Sequence, residues 1–256
     1  MPPTISSLRA EYQHLFDTCE IRLSMRPQVA ELGQHILRNK SHYRAIEQAL
    51  TIPWHVVALI HAMESSPPLS LQGHLHNGDP LNARTAHVPR GRPRQGTPPF
   101  LWEESAIDAL KLRGLHEWTD WSIAGTLFQL EGYNGWGYRT HHPTVLSPYL
   151  WSYTNHYERG KYTHDGQFSP TAQSKQCGAA ALLRCLLSEG VVSTIGSVAP
   201  LIRYQKKAAP HVEALQRFLN VLPGTELTVD GIPGASTSTA LKQATGHYLS
   251  GDPREH

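Results

Sequence analysis

Trp54-His55-Val56-Val57-Ala58-Leu59-Ile60-His61-Ala62-Met63-Glu64-Ser65-Ser66-Pro67-Pro68 is the stretch on which the reading of this chain turns. Its almost unbroken apolar run predicts a helix buried around most of its circumference, with Thr51 near the cap and Pro53 in the first turn. Pro67 and Pro68 cannot continue that helix, so Glu64 is expected at its C-terminal end, facing whatever the following loop encloses. Apolar walls disfavour a charged carboxylate and keep it protonated toward neutral pH, the state a general acid needs. A lone glutamate at a helix end is more often simply solvated, so the weight of this reading rests on the sequence around it.

Upstream, Leu8, Tyr12, Leu15 and Phe16, then Val29, Leu32, Ile36 and Leu37, recur at three- and four-residue steps and predict helices from Ile5 to Leu50. Downstream, Leu69 to Phe100 is rich in Gly, Pro, Asn, His and Arg, and a β-hairpin lobe is expected there. Trp102–Leu115 and Trp121–Leu130 read as helices. Glu131-Gly132-Tyr133-Asn134-Gly135-Trp136-Gly137-Tyr138 reads as a shaped loop. A second loop, Ser147–Thr171, carries Tyr149, Trp151, Tyr153, Tyr157 and Tyr162 and leads into an apolar helix from about Ala172 to Leu187. The expected organisation is a mainly α domain with a small β lobe over 1–189, a linker over 190–209, and a small helical module over 210–256.

Composition narrows the function classes. With 256 residues, 39% hydrophobic and 17% charged, the chain can bury a core and is not of disordered composition. Its 23 Lys and Arg against 21 Asp and Glu leave a formal charge of +2, which gives no basic field for nucleic acid. No run of ~18 apolar residues offers a membrane span, and the N-terminus lacks the pattern of a signal peptide. Synthesis in the cytosol is the expectation. The 3 cysteines, Cys19, Cys177 and Cys185, are scattered and read as core thiols.

Glu64-Ser65 and Tyr133-Asn134-Gly135 together resemble the lysozyme-like superfamily. In its soluble lytic transglycosylases and goose-type lysozymes, a helix ends in the catalytic Glu followed by Ser, and a later Tyr-Asn-Gly-type loop lines the sugar cleft. The runs His74-Leu75-His76-Asn77-Gly78-Asp79-Pro80-Leu81, Arg84-Thr85, Gly91-Arg92-Pro93 and Trp102-Glu103-Glu104-Ser105-Ala106 resemble bacterial and phage lysozyme-family proteins, and the likeness extends from about Tyr12 to Leu187. It implies cleavage of the β-1,4 bond between N-acetylmuramic acid and N-acetylglucosamine in peptidoglycan, with Glu64 as general acid and no cofactor. Delivery to the wall would then fall to a holin, a phage particle or a secretion machine.

Asp79 is the candidate for positioning water, with Glu103, Glu104 and Glu131 as competitors; a transglycosylase would need no second carboxylate. Tyr133, Asn134 and Trp136 suit sugar recognition, because pyranose C–H faces stack on aromatic rings and an amide satisfies acetamido groups. Ser65 and Thr85 complete the candidate substrate contacts. Tyr149, Trp151, Tyr153 and Tyr157 are expected to support the loop from below. His55, His61, His74, His76 and His87 lack zinc-site spacing and read as satisfied turn or cleft residues. Arg84, Arg90, Arg92 and Arg94 form a basic stretch that could meet anionic stems of the wall polymer or remain a solvated face.

At the C-terminus, Leu215-Gln216, Val229-Asp230-Gly231, Gly234, Thr237 and Ala240-Leu241 resemble the small peptidoglycan-binding module, with Pro233-Gly234 where an aromatic-Gly pair is usual. Two alternatives stand beside the muramidase reading: a chitinase on the same scaffold, and a non-catalytic wall-binding or virion structural protein.

Overall fold

The computed structural model of the chain describes residues 3–65, 67–164, 166–192, 202–209, 211–249 and 251–254. It divides into two units, Met1–Gly196 and Ser197–His256. The division falls within the segment read as a linker, of which 193–201 lie outside the described residues. The architecture is mainly helical with one small two-stranded sheet.

In the N-terminal unit the expected three- and four-residue spacing becomes α1 (Ile5–Asp17), α2 (Arg26–Arg38) and α3 (Lys40–Leu50), burying Tyr12 and Phe16, Val29, Leu32 and Ile36, and Tyr43, Ile46 and Leu50. Next comes α4 (Trp54–Glu64), in which every side chain from Val56 to Met63 is buried. Its start differs from the sequence expectation. Thr51 has φ 58° and terminates α3, while Glu47 at the end of α3 accepts the Trp54 N–H at 3.0 Å and so takes the capping role expected of Thr51.

Four helices follow around this centre: α5 (Trp102–Leu112), α6 (Ile123–Asn134), α7 (Gly137–His141) and α8 (Pro148–Trp151). Glu104 accepts the Leu101 N–H at 2.8 Å to open α5, and Ser122 accepts the Gly125 N–H at 3.2 Å to open α6. The stretch read as a shaped loop is mostly helix, with Glu131–Asn134 in α6 and Gly137 and Tyr138 in α7. Leu127, Leu130 and Glu131 keep one face of α6 buried, and the helix stops only where Gly135 turns to φ 95°.

The sheet pairs β1 (Lys161–His164) with β2 (Gln167–Ser169), antiparallel, so the small β element lies in the second aromatic loop. The β-hairpin expected in 69–100 is absent among the described residues; only an isolated bridge joins Gly73 to Pro80. The reason is local. Prolines remove ladder donors, and the segment's backbone is held by its own short polar side chains instead. The last helix of this unit, α9 (Ala179–Ser188), begins later than the expected Ala172. Gly178 passes so near α8 that a Cβ there would sit 2.3 Å from the Leu150 carbonyl oxygen, and Gly178 itself is extended, with α9 beginning only after it.

Packing follows burial: α1 lies against α6, α3 against α4 and α5, and α9 against α2, α4 and α8. Cys19, Cys177 and Cys185 are buried free thiols. No helix among the described residues is long and apolar enough to cross a membrane.

The C-terminal unit contains α10 (Val212–Leu219) and α11 (Ala235–Thr245). Gln216 explains the motif read there. Its amide N–H groups lie 2.8 Å from Asp230 Oδ1 and 3.1 Å from Thr237 Oγ1, and its carbonyl accepts the N–H groups of Asp230 and Gly231 at 3.1 and 2.9 Å. One buried side chain therefore ties the Asp-Gly turn to both helices, so the Gln, Asp-Gly and Thr positions form a folding unit.

Candidate active site

Glu64 is the last residue of α4, and Ser65 leaves the helix extended at φ −125°. Tyr149, carried by α8, donates to Glu64 Oε1 at 2.9 Å. Tyr133, in the last turn of α6, lies near the same carboxyl, and the Arg113 guanidinium sits 4.8 Å over the Tyr133 ring. Four elements that are distant in sequence thus converge on one acid.

The carboxyl of Glu64 reaches solvent, yet protein atoms surround it on most sides, as at the floor of a cleft. That crowding strips hydration and pushes its pKa above the usual carboxylate value, against the opposing pull of the Tyr149 hydrogen bond and the Arg113 charge. Burial also raises Tyr133, to about 12, and Tyr149, each aided by the negative charge of Glu64. Both phenols stay protonated and able to donate.

A cleft of about 670 Å³ opens beside Glu64, with Leu32, Ala62 and Met63 supplying apolar wall and Ser65, Lys161 and Lys175 polar lining. A second recess of about 350 Å³ is lined by Asn134, Tyr138, Tyr149 and Tyr162. The two share Lys161, Ser174 and Gln176, so they adjoin along one groove. Gln176 donates its side-chain amide to the Met63 carbonyl at 2.6 Å, which ties this wall to the residue before Glu64.

The structure brings Ser65 and Asn134 to this groove, sets Tyr133 near the Glu64 carboxyl in a separate recess beside Arg113, and keeps other expected residues in different work. Trp136 packs its ring 5.0 Å from Phe128 and over Gly132, so its contacts brace α6. Thr85 is buried; its hydroxyl donates to the Pro89 carbonyl and accepts the Arg92 N–H at 2.9 Å, so it holds its own loop together. Asp79 accepts the N–H groups of Ala86 and His87 at 2.8 and 2.9 Å and meets His87 Nδ1 at 2.7 Å. Those His87 bonds hold its pKa far below the usual range, which makes it a loop clasp and a poor base.

The competing acids are also engaged. Glu103 meets His42 at 2.6 Å, Glu104 caps α5, and Glu131 is buried against Tyr12 and 2.9 Å from Arg139. His74 contacts Ser105 and the Ala83 carbonyl, each at 2.8 Å; His76 pairs with Asp108 at 2.8 Å; and His61 meets the Tyr43 hydroxyl at 2.9 Å. Burial pushes His55 and His61 down to about 4. Among the described residues no three His, Cys, Asp or Glu side chains are grouped to hold a metal ion. Of the basic stretch, Arg84 donates to the Gly96 carbonyl and Arg92 pairs with Asp108, each at 2.8 Å, while Arg90 and Arg94 stay exposed.

Sequence reasoning missed Tyr149 as a direct partner of Glu64, along with Arg113, Glu31 on α2, and the lysines of the groove. Only the aromatic density of 149–162 hinted at the first; nothing in local spacing marks the others.

No family model, no curated protein and no solved structure matches the chain. Fold and site therefore define its class directly: a mainly α protein with a glutamic acid of raised pKa at the floor of an open groove.

Proposed function

We propose that this protein cleaves the glycan strand of peptidoglycan at the β-1,4 bond between N-acetylmuramic acid and N-acetylglucosamine, with Glu64 as general acid. One observation carries the reading: a carboxyl at the end of a buried helix, held toward its protonated form by burial and oriented by Tyr149, at the floor of a groove. In this reading protonated Glu64 gives its proton to the leaving glycosidic oxygen as the C1–O bond breaks, and the carboxylate left behind retains the Tyr149 hydrogen bond. Asn134 and Tyr162 offer an amide and an aromatic ring to the sugars along the second recess.

The fate of C1 defines two versions of this reaction. Asp79, Glu103, Glu104 and Glu131 already have partners, and this favours a transglycosylase, in which the muramic acid C6 hydroxyl closes onto C1 without a second carboxylate. A hydrolase would activate water through Glu31, the other carboxylate lining the cleft. Mass spectrometry of the products from purified sacculi distinguishes them: 1,6-anhydro ends for the first, reducing ends lost in Glu31→Gln for the second. No soluble product from the intact protein would refute the proposal and leave wall binding as the function.

Because Glu64 must be protonated and its pKa is raised, activity is expected to be present below that pKa and to decline as pH rises through it. A kcat/KM profile flat from about pH 5 to 9 would contradict a Glu acid. The Tyr149 hydrogen bond favours the ionised carboxylate, so Tyr149→Phe removes a pKa-lowering influence. The basic limb of the profile is expected to move to higher pH in that variant. An unmoved limb would separate Tyr149 from Glu64 in function.

A further inference from the structure

We propose that Lys161 and Lys175 make the Glu64 groove selective for a carboxylate-bearing glycan, an inference that rests on the glycan-cleaving reading above and names its substrate class. A polymer of N-acetylglucosamine is uncharged. Strands containing muramic acid carry carboxylates, either on the lactyl ether itself or on the peptide stem attached through it. Cations fixed along the groove distinguish the two polymers, because only one of them supplies a charge-assisted acceptor.

Three observations support this assignment. Lys161 lines both the cleft beside Glu64 and the adjoining recess, so a strand running along the groove passes this residue. Lys175 lines the larger cleft and is exposed. Among the described residues neither lysine takes part in an ion pair, so both charges are unspent. The remaining acid of the cleft besides Glu64 is Glu31, 75% exposed and 4.0 Å from His35.

Their backbones are also held in place by hydrogen bonds. Lys161 is the first residue of β1 and pairs with Ser169 across the hairpin. Tyr153 donates its hydroxyl to the Lys175 carbonyl at 2.6 Å, and the next residue, Gln176, bonds the Met63 carbonyl. The two charged side chains therefore spring from anchored positions, which lowers the ordering cost of engaging a ligand. The basic loop at 84–94 is a weaker source of such recognition, since Arg84 and Arg92 are held internally.

The test measures binding in the full-length Glu64→Gln protein, so that no strand is cut, against three probes: peptide-bearing glycan strands, amidase-stripped strands with free lactyl carboxylates, and neutral N-acetylglucosamine oligomers. Adding Lys161→Gln and Lys175→Gln together is expected to weaken binding of at least one carboxylate-bearing probe by about tenfold and leave the neutral oligomer unchanged. Loss on stripped strands identifies the lactyl carboxylate as the recognised group; loss confined to peptide-bearing strands identifies the stem. Lys→Arg at both positions is expected to retain binding, and the preference of the lysine-bearing protein to shrink with added salt. Equal loss on all three probes, no loss on any, or no binding of carboxylate-bearing strands to begin with overturns the inference. Failure of the cleavage reading appears separately, as absence of product from the protein with Glu64 intact.

Discussion

Glu64→Gln is expected to lower strand cleavage by about 10²–10⁴-fold, the contribution of a positioned general acid, while the protein stays folded. The substitution preserves shape and an oxygen to accept the Tyr149 hydrogen bond at the end of α4, so only the transferable proton is lost. Reducing-end or anhydro-end release from sacculi measures the rate, and thermal unfolding checks the fold. The size of the effect follows from the site: proton donation to the leaving oxygen is the step the geometry serves, and Asp79, Glu103, Glu104 and Glu131 are each engaged elsewhere. Near-normal activity in Glu64→Gln would remove the residue from the chemistry altogether.

Glu131→Ala is expected to have the largest effect on stability, a loss of about 3 kcal/mol and a fall in Tm of roughly 6–12 °C. Glu131 is 2% exposed and joins Tyr12 of α1, its own helix α6, and Arg139 of α7. Removing it leaves the Tyr12 hydroxyl without its acceptor and takes one of two carboxylates from Arg139, which keeps Glu11 at 2.8 Å. That retained partner holds the loss to the lower end of the range for a broken buried pair. Thermal unfolding gives the number. An unchanged Tm accompanied by lost activity would reverse the assignment and return Glu131 to the list of reacting carboxylates.

Much of the fold was legible because its signals are local. Apolar spacing within α1 to α3, and the continuous apolar run of α4 stopped by Pro67 and Pro68, depend on neighbours along the chain, and so does the placement of Glu64 at a helix end. The polar pattern of Gln216, Asp230-Gly231 and Thr237 was readable for a related reason: one side chain must satisfy a tight turn, and few residue types can do it.

Other features were decided by contacts across the fold. Thr51 looked like a cap until Glu47 took that place, and α9 begins only after Gly178, against which α8 passes. Buried neighbours extended α6 through Tyr133 and Asn134, which carried Tyr133 to Glu64. Asp79, equally readable as turn or base, became a clasp because Ala86 and His87 fold back onto it. By itself the sequence determined a mainly helical chain with a glutamic acid at the end of its most apolar helix. Only the tertiary structure decided what surrounds that acid, since Tyr149, Arg113, Lys161 and Gln176 reach its neighbourhood from separate elements, and both desolvation and hydrogen bonding depend on distance in space.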